Sequence, residues 1–322
     1  FNQTRIQPWR ASATLAEFLL AMDSLYRFSF VDLPIRGQWV RLDQSLQDAF
    51  KNKSYPQPVS GFLGEMFAAV AMISDNLKFA GAVALQSQGN GALLRTLAEC
   101  SNRRNLRGIA HVREDFVLPP DPNNLAAWLG DGRLALSLIP EDRENMQTYQ
   151  GQVELRDASL AINLQTYFTR SEQLDTKLYF GADATTVTGL LLQRLPEAPD
   201  APDEMLERAE DAWDTLVTLT DTIRGEELAE LNPEEMLRRL YHEYTVTVHS
   251  AQSMQYKCTC NQSKSDRTLA TLPVAEMYEL LEELGEITVD CEFCGQRYAY
   301  GQAEVDRIAT TGGYWDTSKK VH

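Results

Sequence analysis

Hydrophobic positions between residues 30 and 196 follow two patterns. Seven segments carry the signals of strands, chiefly an alternation of apolar and polar residues: 38–42, 81–88, 106–113, 133–138, 151–156, 177–180 and 187–195. Apolar residues at helical spacing predict a buried helix over residues 62–78 and another helix over residues 160–168. Because strands and helices do not alternate regularly, the pattern predicts an α+β domain with antiparallel sheets and packed helices.

Glycine-rich segments interrupt these elements. Gly89-Asn90-Gly91 and Gly130-Asp131-Gly132 predict turns, and the second is expected to be a hairpin turn. Near the start, a helix is predicted over residues 15–26, within an N-terminal extension that covers residues 1–29. The composition of residues 1–16 is mildly typical of a transit peptide, because basic and hydroxyl side chains occur there without an acid.

The composition changes at Pro196. Residues 197–235 contain fourteen acidic residues against Arg208 and Arg224. Their apolar residues suit an amphipathic helix, and Asn232-Pro233-Glu234-Glu235 has the form of a helix start. Residues 197–253 are therefore predicted to form a linker of two or three acidic helices. Its order should depend on packing, since isolated helices are marginally stable.

Net charge and hydropathy limit the function classes. The chain carries a net charge of −16 and has a sequence pI of about 4.7, which repels nucleic acid and anionic membranes. No apolar run reaches the length that spans a bilayer. Paired thiols in an acidic protein suggest a reducing compartment, so a cytoplasmic location is expected, with an organelle such as the mitochondrion as the alternative.

Four of the five cysteines form two close pairs in the last predicted domain, residues 254–322. The pairs are Cys258 with Cys260 and Cys291 with Cys294. Four thiolates can close a tetrahedral zinc site, and close thiols can also oxidise to disulfides. We expect one Zn²⁺ per chain in the reduced protein, because the domain has few apolar residues and metal binding would supply folding free energy. The fifth cysteine, Cys100, is assigned no role.

Other readings of these features are weaker. His242 and His249 precede the first pair, but four thiolates already fill a tetrahedral site, so both are expected at the surface or at an interface. A thiol–disulfide oxidoreductase is one alternative function, and the Cys291–Cys294 pair alone would suit it. In such enzymes, however, the pair begins a helix within a βαβ unit, and that setting is not predicted here. A zinc-ribbon nucleic-acid-binding protein is another, but residues 258–294 hold eight acids against Lys264 and Arg267. No catalytic motif is found, so the protein is not expected to be an enzyme.

The cysteine motifs resemble those of the heat shock protein 33 family. Lys257-Cys258-Thr259-Cys260 and Cys291-Glu292-Phe293-Cys294-Gly295 are similar to the zinc-binding end of that family. The similarity covers about residues 30–310 and includes these upstream motifs: Tyr55-Pro56-Gln57-Pro58-Val59, Gln88-Gly89-Asn90-Gly91, Tyr149-Gln150-Gly151, Tyr167 to Leu174, and Arg239-Leu240-Tyr241-His242-Glu243.

This resemblance implies a redox-regulated chaperone that holds unfolding client proteins without ATP. It implies that the reduced form binds zinc through the four cysteines and is inactive. Oxidative stress would then form the disulfides Cys258–Cys260 and Cys291–Cys294, release zinc and unfold the linker. The activated protein is expected to be a homodimer. The resemblance also implies a core chaperone domain over residues 30–196.

Overall fold

A computed structural model describes residues 23–312 of the chain, except 118, 120, 122–123, 143–144, 184 and 198–201. The backbone divides into two units after Tyr256. The first unit contains the strands β1 Ser24–Phe30, β2 Ile35–Leu42, β3 Gly81–Gln88, β4 Leu93–Ser101, β5 Asn105–Val112, β6 Arg133–Pro140, β7 Tyr149–Val153, β8 Thr176–Ala182, β9 Val187–Arg194, β10 Val246–Val248, β11 Gln252–Ser253 and β12 Gln255–Tyr256. Its helices are α1 Gln44–Phe50, α2 Gln57–Asp75, α3 Leu125–Leu129, α4 Leu160–Tyr167, α5 Asp203–Thr220, α6 Gly225–Glu230 and α7 Pro233–Tyr241.

Two sheets form the frame of the first unit. The first sheet has the order β10-β1-β2-β9-β8, with β11 also paired to β1, and the second has the order β12-β5-β4-β3-β6-β7. Every pairing is antiparallel except that of β12 with β5. The predicted α+β class with antiparallel sheets and packed helices is confirmed.

Helix α2 packs against both sheets and forms the centre of the main core. Every residue from Met66 to Asp75 is buried, including the large side chains of Phe67 and Met72. A helix that is apolar on all sides is buried on all sides, which explains the long hydrophobic run in the sequence. None of the helices in the described ranges is long and apolar enough to cross a membrane.

The acidic segment forms three helices, α5 to α7, which cover the opposite face of the first sheet. That face presents Phe28, Phe30, Trp39 and Leu190, and the helices bury Trp213 and other apolar residues against it.

Three polar contacts accompany this packing. The Tyr179 hydroxyl donates to Asp221 over 2.7 Å, Arg41 Nη1 donates to the Ala229 carbonyl over 2.7 Å, and Thr220 Oγ1 and the Tyr241 hydroxyl share a bond of 2.6 Å.

The second unit is small and mixed. Its helices are α8 Gln262–Leu269, α9 Val274–Leu284 and α10 Gln302–Thr311, and its strands β13 Ile287–Asp290 and β14 Arg297–Tyr300 pair as an antiparallel hairpin. Its buried apolar side chains are Leu269, Met277, Leu281, Ile287, Tyr300, Val305 and Ile308. The side chain of Asp266 is fully buried, accepts from Arg307 Nη1 over 2.9 Å and so ties α8 to α10.

Several local predictions differ from the structure. The predicted helix over residues 15–26 is wrong at its described end, because residues 24–26 pair in β1; residues 15–22 lie outside the described part. Residues 24–29 therefore belong to the first sheet rather than to an extension. The predicted hairpin turn at residues 130–132 instead joins α3 to β6, where Gly130 has a φ of 64°. The boundary proposed at residue 196 stays a prediction.

Candidate metal centre

The two cysteine pairs lie in different loops of the second unit. Cys258 and Cys260 precede α8, whose first turn is capped by the Asn261 side chain accepting from the Lys264 amide. Lys264 Nζ also donates to the carbonyl and hydroxyl oxygens of Thr259, between the two cysteines. The pattern of an asparagine cap and a lysine one turn later therefore fixes the conformation of the first cysteine loop.

The second pair lies in the turn between β13 and β14. The Cys291 amide donates to the Gln296 carbonyl over 2.9 Å, and the Gly295 amide donates to the Cys291 carbonyl over 2.7 Å. Gly295 has a φ of 72°, a conformation that favours glycine. The Cys291–Cys294 pair is thus in a hairpin turn and not at a helix N-terminus, the position expected in an oxidoreductase of the thioredoxin type.

The four cysteine sulfurs converge. The Sγ atoms of Cys258, Cys260, Cys291 and Cys294 all lie within 4.8 Å of one another. Across the pairs, Cys258 Sγ is 3.7 Å from Cys291 Sγ and Cys260 Sγ is 3.5 Å from Cys294 Sγ. With Zn–S bonds of about 2.3 Å, a tetrahedral site requires sulfur–sulfur distances of about 3.8 Å. The donor set and its spacing therefore fit a four-thiolate zinc site.

Burial and hydrogen bonding act differently on these thiols. Burial raises the pKa of Cys258 and of Cys294, since a thiolate is less stable away from water. Burial also acts to raise the pKa of Cys260, but hydrogen bonds from the Tyr298 hydroxyl and the other thiols outweigh it and lower that pKa. A divalent cation would offset the cost of burying several thiolates together.

Other candidate ligands lie elsewhere. The four cysteines are the one group of three or more His, Cys, Asp or Glu residues in the described ranges that could hold a metal ion. His242 ends α7 and His249 follows β10, and both are exposed in the first unit. Cys100 is fully buried on β4, where desolvation raises its pKa to about 12. The structure thus brings together the four predicted ligands without these three residues.

Sequence reasoning missed the residues that support the cysteines. Tyr298 on β14 hydrogen-bonds to Cys260, and the same bond raises the pKa of the tyrosine. One signal for this role was available in the sequence. Tyr298 follows Cys294 by four residues and lies on the strand after the cysteine turn. The Asp266–Arg307 pair gave no such signal, because its partners are 41 residues apart.

Comparison with known proteins gives consistent matches. The family model described as Hsp33 protein matches residues 23–301. A 33 kDa chaperonin of Salmonella typhimurium is 37% identical over 290 residues, which cover 89% of this chain and 94% of that protein. A 33 kDa chaperonin of Azotobacter vinelandii is 38% identical over 301 residues, covering 93% of this chain and 99% of its own.

The fold has a solved counterpart. The crystal structure of the 33 kDa chaperonin of Thermotoga maritima, a heat shock protein 33 homologue, aligns with a TM-score of 0.75. The alignment covers 89% of this chain and 98% of that one, at 21% sequence identity. At that identity the likeness concerns the fold alone.

Proposed function

This chain belongs to the Hsp33 family, and we propose that it is a redox-regulated chaperone that binds unfolding proteins without ATP. The observation that carries the proposal is the convergence of four free thiols, whose sulfurs lie within 4.8 Å of one another in a small unit. The names of its relatives, 33 kDa chaperonins, support the chaperone activity.

In the reduced protein, Cys258, Cys260, Cys291 and Cys294 bind one Zn²⁺. The bound ion cross-links the loop before α8 to the β13–β14 turn and contributes folding free energy, on the order of 10 kcal/mol in small zinc peptides. The second unit needs this contribution, because among its described residues only seven apolar side chains form the buried core. In this state α5 to α7 remain packed on the first sheet, and the protein does not bind clients.

Oxidation converts the four thiolates into two disulfides. A thiolate attacks one oxygen of hydrogen peroxide, the O–O bond breaks, and a sulfenic acid forms with release of hydroxide. The thiolate of the other cysteine of the pair then attacks that sulfur and displaces the second hydroxide. Each disulfide therefore consumes one peroxide and two thiolates and releases two hydroxides, which take up two protons from the solvent to become water. Following the family, the pairs are Cys258–Cys260 and Cys291–Cys294. A disulfide sulfur is not a thiolate ligand, so the oxidised cluster no longer binds Zn²⁺.

Activation exposes apolar surface in the first unit. Once the second unit loses its cross-link, α5 to α7 leave the first sheet and uncover Phe28, Phe30 and Trp39. The helices are suited to this because their excess acidic side chains repel one another in the packed state, which lowers the stability of that state. Unfolding clients bind the uncovered surface, and the active form is a homodimer in the cytoplasm.

The test combines metal, thiol and chaperone measurements on one sample. Full-length reduced protein is treated with peroxide at raised temperature, and its zinc content, free thiols and suppression of aggregation of a heat-unfolded client are followed. We expect loss of one Zn²⁺ and four thiols together with the appearance of chaperone activity. Cys100→Ser is the matched control and should behave as the parent, since Cys100 is buried in the first unit and is not part of the four-cysteine group.

Equal suppression by reduced and oxidised protein would contradict the proposal, as would zinc that stays bound after four thiols have been lost. Catalytic reduction of insulin would favour an oxidoreductase instead. A salt-dependent mobility shift with nucleic acid would favour a zinc-ribbon nucleic-acid-binding protein.

A further inference from the structure

The side chain of Lys264 reaches back from helix α8 to the first cysteine loop. Its Nζ atom donates to the carbonyl oxygen of Thr259 over 2.8 Å and to the hydroxyl of the same residue over 3.0 Å. The Asn261 side chain accepts from the Lys264 amide over 2.9 Å, so the backbone that carries the lysine is itself held by the helix cap. Thr259 is the residue that separates Cys258 from Cys260.

The carbonyl of Thr259 and the amide of Cys260 belong to one peptide group. Its amide side hydrogen-bonds to Cys258, and its carbonyl side accepts from the ammonium of Lys264. Hydrogen bonds in a chain polarise one another, and a bond to a charged donor is stronger than one between neutral groups. The ammonium therefore makes the Cys260 amide a better donor to the sulfur of Cys258.

Such a bond affects both metal binding and reactivity. Groups that orient a metal ligand and hydrogen-bond to it set how tightly the metal is held. A thiolate that accepts a stronger hydrogen bond also has less electron density to offer an oxidant, because nucleophilicity falls as the negative charge on sulfur is stabilised. One lysine can thus favour zinc retention and slow oxidation of the same loop.

We propose that Lys264 is a positioning residue of the metal centre. It holds and polarises the peptide group between Thr259 and Cys260, so that the first cysteine pair retains zinc more tightly and the protein needs a higher peroxide dose to release it. The effect on affinity concerns the four-thiolate site alone, whereas the effect on the peroxide dose rests on the proposed function.

The experiment compares the full-length reduced parent with Lys264→Met and Lys264→Arg. Zinc affinity is measured by competition with a chelator, and the peroxide dose for half release of zinc is followed with a colorimetric chelator. We expect Lys264→Met to weaken zinc binding roughly tenfold, as is typical when a residue that supports a metal ligand is lost. The dose for half release should fall severalfold. Lys264→Arg keeps the charge and the donors and should restore most of both values.

A spectrum of the Co²⁺-substituted protein separates this role from a purely structural one. Loss of a hydrogen bond to a coordinated thiolate raises the energy of the sulfur electrons. The sulfur-to-cobalt charge-transfer band of Lys264→Met should therefore move to longer wavelength, and that of Lys264→Arg should stay near the parent's. An unshifted band in Lys264→Met would contradict the polarised peptide group.

Lys257→Met is the matched control for charge. Lys257 is exposed, directly precedes Cys258 and forms no hydrogen bond or ion pair with the described residues. Its loss should leave affinity, peroxide dose and spectrum almost unchanged. Thr259→Val removes the hydroxyl acceptor but keeps the carbonyl, and it should weaken zinc binding by no more than about twofold.

Parent-like zinc affinity in Lys264→Met overturns the inference, and so do equal losses in Lys264→Met and Lys257→Met. A loss in Thr259→Val as large as that in Lys264→Met assigns the effect to the hydroxyl and also overturns it. Failure here is distinguishable from failure of the proposed function. A parent that releases zinc and gains chaperone activity on oxidation, beside an unchanged Lys264→Met, refutes this inference alone; a parent that keeps its zinc after oxidation refutes the proposed function.

Discussion

Glu65 illustrates at the residue scale how a single carboxyl couples folding to pH. Its pKa rises from an ordinary 4.5 to about 7 in the folded protein, because the partly buried carboxyl is desolvated. Below pH 4.5 the group is neutral in both folded and unfolded states and costs nothing. Between these two pKa values the unfolded state loses its proton first, so the free energy of unfolding falls as pH rises, by up to about 3 kcal/mol above pH 7.

We therefore expect Glu65→Gln to stabilise the first unit at pH 8, by up to about 3 kcal/mol, and to have little effect near pH 4.5. The measurement is thermal or urea unfolding of the reduced protein at both pH values. Asp183→Asn is the control and should destabilise the first unit at pH 8. The pKa of Asp183 is lowered in the folded protein, so its charge stabilises the fold above the ordinary aspartate range. An equal gain at both pH values would show that the effect does not come from the charge of Glu65, and no gain at either pH would show that Glu65 is solvated like a surface residue.

Individual residues were predictable from sequence only where spacing encodes them. The four candidate ligand cysteines stand in two close pairs with a glycine after the second pair, and this local pattern was enough to group them. Glu65 and Asp183 meet at one cavity although they are far apart in the chain, and no local pattern links them. The surroundings of Glu65 depend on residues of four other elements, α3, α4, β4 and β8, and a sequence does not show that these elements meet.

At the scale of elements, the contact of α6 with β8 depends on a glycine. A methyl group added at Gly181 would lie 2.0 Å from the Gly225 carbonyl oxygen, at the start of α6. Gly181→Ala should thus push α6 off the strand at a cost of about 1–3 kcal/mol. Under the proposed function, the reduced variant should suppress client aggregation severalfold better than the reduced parent, and the fluorescence of Trp213 on α5 should report greater exposure.

Gly61→Ala is the matched control, because a methyl group there meets no atom within 4 Å and the position is helical. It should leave both readouts unchanged. A folded Gly181→Ala protein with no gain in client binding would show that displacement of α6 is not sufficient for activation.

A second element-scale test concerns the tie between α8 and α10. Asp266→Asn removes a fully buried charge that faces Arg307, and loss of such a pair should destabilise the second unit by roughly 2–3 kcal/mol, given that Arg307 is partly exposed. Zinc should then be released at a lower temperature for the same peroxide dose, as a colorimetric chelator can follow. Glu283→Gln, at an exposed position of α9, should leave the release temperature almost unchanged; equal shifts in both variants would refute the role of the pair.

Elements were predictable where their buried faces carry large apolar residues. The strand over residues 81–88 matches β3, and the buried run in α2 was identified as a helix. Strand β4 was missed because its buried face carries Thr96, Ala98 and Cys100 while Leu97 lies on the other face. Helix α8 was missed because two of its three buried residues, Ser265 and Asp266, are polar and only Leu269 is apolar. Hydropathy does not detect such a helix.

At the scale of the whole molecule, the sequence placed three kinds of segment in the right order: a sheet-rich part, acidic helices and a cysteine-bearing end. It left open where the acidic helices pack, because an amphipathic stripe does not specify its partner. The structure assigns α5 to α7 to the first unit, where they cover one face of the first sheet. Under the proposed function, these helices should leave that face after oxidation, and this can be tested.

Limited proteolysis can follow this release across the whole chain. Endoproteinase Glu-C cleaves after glutamate, and α5 carries Glu204, Glu207 and Glu210 on its exposed face. Exposed helical bonds resist cleavage until the helix opens locally, so the reduced protein should be cut slowly there. After peroxide treatment at raised temperature we expect cleavage within residues 203–220 to be at least severalfold faster.

Glutamates in the first-unit sheets, such as Glu99, should remain protected, because the main core does not depend on the cysteine cluster. Mass spectrometry of early digests assigns the sites; uniform acceleration along the chain would indicate global unfolding, and unchanged rates on α5 would show that the acidic helices stay packed after oxidation.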